Sequence, residues 1–252
     1  MLKTRVMPTL LLKDFGLVKG VGFDPWRRTG SPHQAIIVYN MREVDELVFV
    51  DISATPSQRP PDFDLIDELA DECFMPMTVG GGIRSVDDMR RVIAAGADKI
   101  VINSAALETP GLITDGAARF GSQCIVVSID VFRNDDGDCM VHSHCGQQPT
   151  GRDPVEWAKE AEGLGAGEIL LTSIDRDGTM DGYDVPLTRS VCEAVRIPVV
   201  ASGGAGNYAH MAEVLKDGGA TAVAASSIFL FTEQTPKEAK LYLKEQGFNV
   251  RI

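Results

Sequence analysis

Short apolar runs alternate with amphipathic stretches along the whole chain. Runs near 5–12, 46–51, 75–80, 98–103, 123–131, 168–173, 198–202 and 220–225 have the length and bounded character of buried strands. Segments near 32–42, 62–73, 85–95, 109–119, 152–164, 184–196, 207–217 and 235–246 follow them, with apolar positions at helical spacing. Eight consecutive βα units predict an α/β fold, a closed parallel (β/α)₈ barrel rather than an open sheet. One irregular insertion, 132–149, alternates and turns at Asp136-Gly137, which reads as a small hairpin. No linker or low-complexity stretch interrupts the pattern, so one domain over 1–252 is expected, with half-barrels of about 1–120 and 121–252.

The halves repeat each other. Residues 78–107 and 200–229 share the order Gly pair, amphipathic helix, Gly-Ala turn and small-residue strand. In each copy a Gly-rich turn follows an apolar run, Gly81-Gly82 or Gly203-Gly204, and the copy closes on a small polar pair, Asn103-Ser104 or Ser226-Ser227. Backbone N–H groups freed by glycine beside a helix start bind phosphate without any cationic side chain. Two such cradles suggest a substrate with a phosphate at each end.

Composition narrows the classes. The 252 residues match the roughly 250 typical of such a barrel. No run of about 18 apolar residues exists to span a membrane, and the basic-then-apolar N-terminus lacks a small-residue cleavage site and reads as a first strand. Five cysteines without a CxxC suggest a reducing cytoplasm. The net charge of −12 disfavours nucleic acid and anionic membrane surfaces as partners.

Side chains two apart on a strand share a face. If Asp130 points into the barrel mouth, Ser128 and Val126 point inward beneath it, and the same rule puts Arg5, Met7, Thr9 and Leu11 together. Arg5, Glu46, Lys99 and Glu168 all lie at strand starts. They are either solvated on the rim or form a neutral ring across the barrel floor, where pairing would make their burial tolerable. Parity leaves that choice open.

The strings TVGGGIRS, AGADK, INSAA, FGSQCIVVSID, LGAGEILLTSIDRDGT, IPVVASGGAG and VRI resemble the cyclase subunit of imidazole glycerol phosphate synthase over nearly the whole chain. The resemblance implies a barrel that takes ammonia from a glutaminase docked at its N-terminal face, through a gate matching Arg5, Glu46, Lys99 and Glu168. The acceptor implied is a bis-phosphorylated ribonucleotide at the opposite face. It further implies a catalytic role for Asp130, substrate contacts at Asp177 and Gly178, and Lys19 in the first loop clamping a phosphate. No cofactor and no metal are expected. Cys139, His142, His144 and Cys145 resemble a metal set, but in an extended hairpin the cysteines and histidines fall on opposite faces. Trp26 reads equally as a lid or as core.

One departure matters. The family's first strand carries a second catalytic carboxylate, and here Leu11 occupies its place; Asp14, three residues on and of opposite parity, does not substitute. Leu10 to Lys13, Gly16 to Lys19 and Val44 to Phe49 are similar to a branch associated with glycosyl amidation in bacterial surface-polysaccharide pathways, whereas Gly20 and Gly22 are closer to the histidine-pathway form. That branch implies a glutaminase partner, a third ATP-using amidotransferase-like protein, and conversion of a sugar N-acetyl group into an acetamidino group. The expectations are therefore an ammonia-using enzyme of that kind, an authentic cyclase with an altered acid–base set, or a silent scaffold that binds phosphate and conducts ammonia.

Overall fold

The computed structural model describes every residue except Met1, Leu2, Phe15, Pro25 and Asp135. The first three of these belong to the N-terminal segment read above as a strand, and Asp135 to the insertion. Eight parallel strands form the barrel: Arg5–Lys13, Leu47–Asp51, Met77–Gly80, Lys99–Ile102, Ile125–Arg133, Glu168–Ser173, Val199–Ser202 and Ala222–Ala225. Each pairs with the next, and the eighth pairs with the first, so these eight strands close into a barrel. This is a (β/α)₈ barrel. No helix among the described residues is long and apolar enough to cross a membrane.

Two apolar layers hold it. One lies between sheet and helices, with Leu10, Ile36, Ile100, Ile129 and Trp157 among its buried members. The other fills the lumen with Met7, Val48, Val101, Val126, Leu170 and Val200. The helices start where the chain supplies caps: Asp62, Ser85, Asp153, Asp184 and Asn207 each accept from a first-turn N–H, and Thr235 with Glu238 forms a reciprocal capping box.

Three details differ from expectation. The first loop contains two antiparallel strands, Gly16–Lys19 and Arg27–Gly30, the former paired with strand one. The fourth crossover splits into Ser104–Glu108 and Gly111–Phe120, and a further short helix, Ser227–Phe231, follows strand eight. The insertion is the expected hairpin, strand five running antiparallel to Cys139–Ser143, but it adds a third short strand, Gln148–Pro149. His144 and Cys145 then turn in left-handed backbone at φ +52° and +57°, so the two-residue parity assumed for them ends at Ser143.

Candidate active site at the barrel mouth

At the N-terminal end of the lumen, Arg5, Glu46, Lys99 and Glu168 close a ring of ion pairs. Arg5 Nη1 lies 2.7 Å from Glu46 and its Nη2 pairs with Glu168; Lys99 Nζ lies 2.8 Å from Glu46 and 2.8 Å from Glu168. Both glutamates are buried, and Thr78 Oγ1 donates to Glu46 at 2.8 Å. Glu46 stands one residue before strand two rather than beginning it. Burial alone would raise Glu168, but the hydrogen bond and charge of Arg5, then Lys99, outweigh it and hold its carboxyl below the ordinary glutamate value. For Arg5, burial disfavours the charge and the two glutamates more than restore it, raising its pKa. Strand-start parity left inward and outward placements equal; pairing in a low-dielectric lumen is what makes the inward one stable.

The C-terminal end opens into a cavity of about 1210 Å³, counting its open mouth. Leu11, Lys19, Gly81, Gly82, Asn103, Ser104, Asp130, Asp177, Gly178, Gly203, Gly204, Ser226 and Ser227 all line it. Every mouth residue singled out from the sequence is thus brought to one cavity, the place where barrels of this architecture carry their sites. Gly81 and Gly203 hold matching left-handed backbone, φ +100° and +90°, at equivalent places after strands three and seven. A Cβ at Gly81 would stand 2.1 Å from the Asp51 carbonyl oxygen, so only glycine permits this turn to pack. The polar pairs also start helices, Asn103 capping Ser104–Glu108 and Ser226 capping Ser227–Phe231.

Asp130 sits near the end of strand five, directly across the closed barrel from Leu11 on strand one. Asn103 Nδ2 donates to its Oδ2 at 2.8 Å and Ser128 Oγ to its Oδ1 at 3.1 Å. Burial pushes its pKa up to about 7; the Ser128 and Asn103 hydrogen bonds oppose the rise and the charge of Asp177 adds to it. Such a carboxyl exchanges a proton readily near neutrality, and Leu11 offers no second one.

Lys19 corrects an expectation. It lies in a strand rather than a free loop, is 3% exposed, and pairs with the Asp177 carboxylate. A phosphate would therefore meet a Lys19–Asp177 pair, not a mobile cation. The backbone behind it is pinned too, since Gly22 N–H donates to the Asp177 carbonyl at 2.8 Å. Trp26 lines the cavity, stacked near Phe23 with centroids 6.4 Å apart.

The cysteines and histidines of the insertion go separate ways. His142 Nδ1 meets the Gly146 carbonyl, His144 Nδ1 meets Ser143 Oγ, and Cys145 Sγ donates to the Ile52 carbonyl facing the cavity. Sequence reasoning missed Asp51, which is buried at the mouth, accepts from Ser53 and Ala54 N–H groups and pairs with Arg59 at 2.5 Å. Its position closing strand two, two residues before Ser53, was the available signal.

Fold and site together define a (β/α)₈ barrel whose ligand cavity lies at the C-terminal mouth, backed by a sealed charged ring at the opposite end. The family model described as "Histidine biosynthesis protein" matches residues 5–235, and the chain belongs to that family.

Proposed function

We propose that this barrel uses ammonia delivered by a glutaminase to amidinate the N-acetyl group of a phosphorylated or nucleotide-linked sugar, rather than to close an imidazole ring. The observation that carries the reading is Leu11 opposite Asp130: the cradles and the ring are kept while one of two facing carboxylates is gone. Converting an acetamido group needs its oxygen activated as a leaving group before ammonia attacks the carbon. A third, ATP-using partner would supply that activation, leaving the barrel to hold the acceptor and accept one proton at Asp130.

Support for a partner comes from the N-terminal end. Phe74, three residues before the Met77–Gly80 strand, is 87% exposed, Met41 at the end of the first helix is 78% exposed, and the Phe74 N–H bonds to the side chain of Asn40 beside Met41. Neutral ammonia would cross the apolar lumen of Met7, Val48 and Val126 at little cost, whereas ammonium would be strongly disfavoured there. The closed ring must part first, which makes conduction dependent on docking.

A second reading, an authentic cyclase, is favoured by the near-neutral Asp130, with water or a substrate phosphate as second proton carrier. Turnover of the ribonucleotide with free ammonium salts separates the two. Losing a positioned acid or base costs about 10²- to 10⁴-fold in rate, so imidazole formation should fall that far below a two-carboxylate enzyme, and a histidine auxotroph lacking the cyclase should not be rescued. Comparable turnover would return the chain to histidine biosynthesis. If both reactions are absent while phosphate still binds, the barrel is a scaffold.

A further inference from the structure

Lys240 is a buried cation that takes part in neither the ring nor the mouth. It sits on the last helix, Pro236–Glu245, 3% exposed, and its Nζ donates to the Glu43 carbonyl at 2.7 Å and to Asp45 Oδ1 at 3.3 Å. The Asp45 side chain is itself 6% exposed. Replacing a buried ion pair by apolar groups is often neutral or stabilising, so such a pair points to fixed geometry more than to stability.

The surroundings of Asp45 show which geometry is fixed. Its second oxygen, Oδ2, accepts from the Val6 backbone N–H at 3.0 Å. Val6 directly follows Arg5 and Asp45 directly precedes Glu46, so one carboxylate joins the backbones that carry two members of the ring. The tail beyond the same helix grips the other side of Arg5, where the Thr4 N–H donates to the Asn249 carbonyl at 2.8 Å and Thr4 bridges Val250. Asp98 repeats part of the device: it directly precedes Lys99, and its Oδ2 accepts from the Met77 N–H at 2.8 Å, beside the Thr78 that bonds Glu46. Anchoring of the helix does not require Lys240, because exposed Lys237, one turn earlier, already pairs with the Glu43 carboxylate at 3.2 Å. What Lys240 adds is the contact with Asp45.

We propose that Lys240 is a positioning residue for the ring: acting through Asp45, it sets the Arg5–Glu46 side so that the guanidinium reaches both glutamates. The consequence for ammonia passage rests on the route proposed above, whereas the positioning itself does not.

Carbon-13 NMR titration of the Glu168 carboxyl tests the positioning without any partner. Glu168 pairs with Arg5 and Lys99 and not with Lys240 or Asp45, so it reports ring geometry rather than helix anchoring. Burial favours a higher pKa for it, and the bond and charge of Arg5, then Lys99, hold it down. Lys240→Met should loosen Arg5 and let the Glu168 pKa rise toward the ordinary glutamate value; Lys240→Arg should restore the parent titration, and Lys237→Ala should leave it unmoved. Since Lys240→Met leaves the Asp45 carboxylate unpaired, the double variant Asp45→Ala/Lys240→Met, which strands no charge, serves where the single variant does not fold and should show the same rise. A Glu168 titration unchanged from the parent in the folded variant overturns the proposal, as does an equal rise in Lys237→Ala. Coupling in the proposed assembly is scored separately, as product formed with glutamine relative to product formed with ammonium salts. A Glu168 rise with full coupling upholds the positioning and defeats the ammonia route through the ring; lost coupling with Glu168 unmoved overturns the positioning and leaves the route standing.

Discussion

The same strands treat polar groups in opposite ways at the two ends of the lumen. At the N-terminal ring each charge answers another, and Thr78 is bonded to Glu46. At the C-terminal mouth, Thr9, Asn103 and Ser227 keep enclosed oxygens without partners among the described residues, while burial pushes the Asp130 pKa up to about 7. The first arrangement is satisfied within the chain, whereas the second leaves polar groups open beside the cavity. A self-satisfied polar set at one end and an unsatisfied one beside the cavity is the usual separation between scaffold and site.

Breaking the ring should show the largest effect. Arg5→Ala leaves Glu168 and Glu46 with Lys99 alone, and removing one partner from a buried charge set costs about 3–5 kcal/mol. Urea unfolding should place the midpoint correspondingly lower. The sign with pH follows from Glu168, whose folded pKa is depressed: its contribution is present above the ordinary glutamate value and lost as pH falls through the folded value. The variant should therefore lose less stability than the parent on acidification below about 4.5. In the proposed assembly the same change should uncouple glutamine hydrolysis from product while preserving activity with ammonium salts; coupling unchanged by Arg5→Ala or Lys99→Ala would argue that the ring is purely structural.

Asp130 should behave in the opposite sense. Its folded pKa of about 7 exceeds the ordinary aspartate value, so the stability it contributes is complete in acid and is lost as pH rises through about 7. Asp130→Asn removes that dependence, and the unfolding free energy of the variant should gain on the parent between about pH 4 and 7, by roughly 3 kcal/mol in total. A constant difference across that window would mean that Asp130 is ionised throughout. Activity of the parent should titrate over the same range if Asp130 exchanges the proton.

How far the sequence announced this contrast depends on the reach of each interaction. Strand parity is strictly local, so the chain alone groups Arg5 to Leu11 on one face and Val126 to Asp130 on another, both of them lumen faces. Strand-start position marked Arg5, Glu46, Lys99 and Glu168 as a set and family resemblance favoured their inward placement, while the Gly-pair repeat pointed to the Gly81-Gly82 and Gly203-Gly204 turns that line the mouth. The pairing of Lys19 with Asp177 spans 158 residues and the strand Gly16–Lys19 is only four long, so neither left a periodic trace. Five-residue helices at Ser104 and Ser227 are likewise too short to show a 3.6-residue pattern. His144 and Cys145 escaped because parity holds only while the backbone stays extended.

Two single-hydroxyl deletions sharpen the comparison with the smallest change. Thr78→Val removes a buried hydroxyl bonded to a ring glutamate, which should destabilise by about 1–2 kcal/mol. Ser227→Ala removes one that is 5% exposed and unpartnered, which should stabilise the unliganded protein by about 1 kcal/mol, or roughly 2–4 °C in Tm. Saturating phosphate should reverse the second result, because the parent gains the hydrogen bond that the variant cannot make, and the stabilisation from a bound ligand grows with the logarithm of its affinity. Crystals soaked in sulfate should then hold anions at both the Gly82 and Gly204 turns of the parent and lose occupancy at the latter in Ser227→Ala. Opposite signs for the two deletions, with phosphate acting only at the mouth, would separate a self-sufficient end of the lumen from one built for a ligand; a loss of stability in both would place Ser227 in the scaffold and leave the second cradle without its hydroxyl.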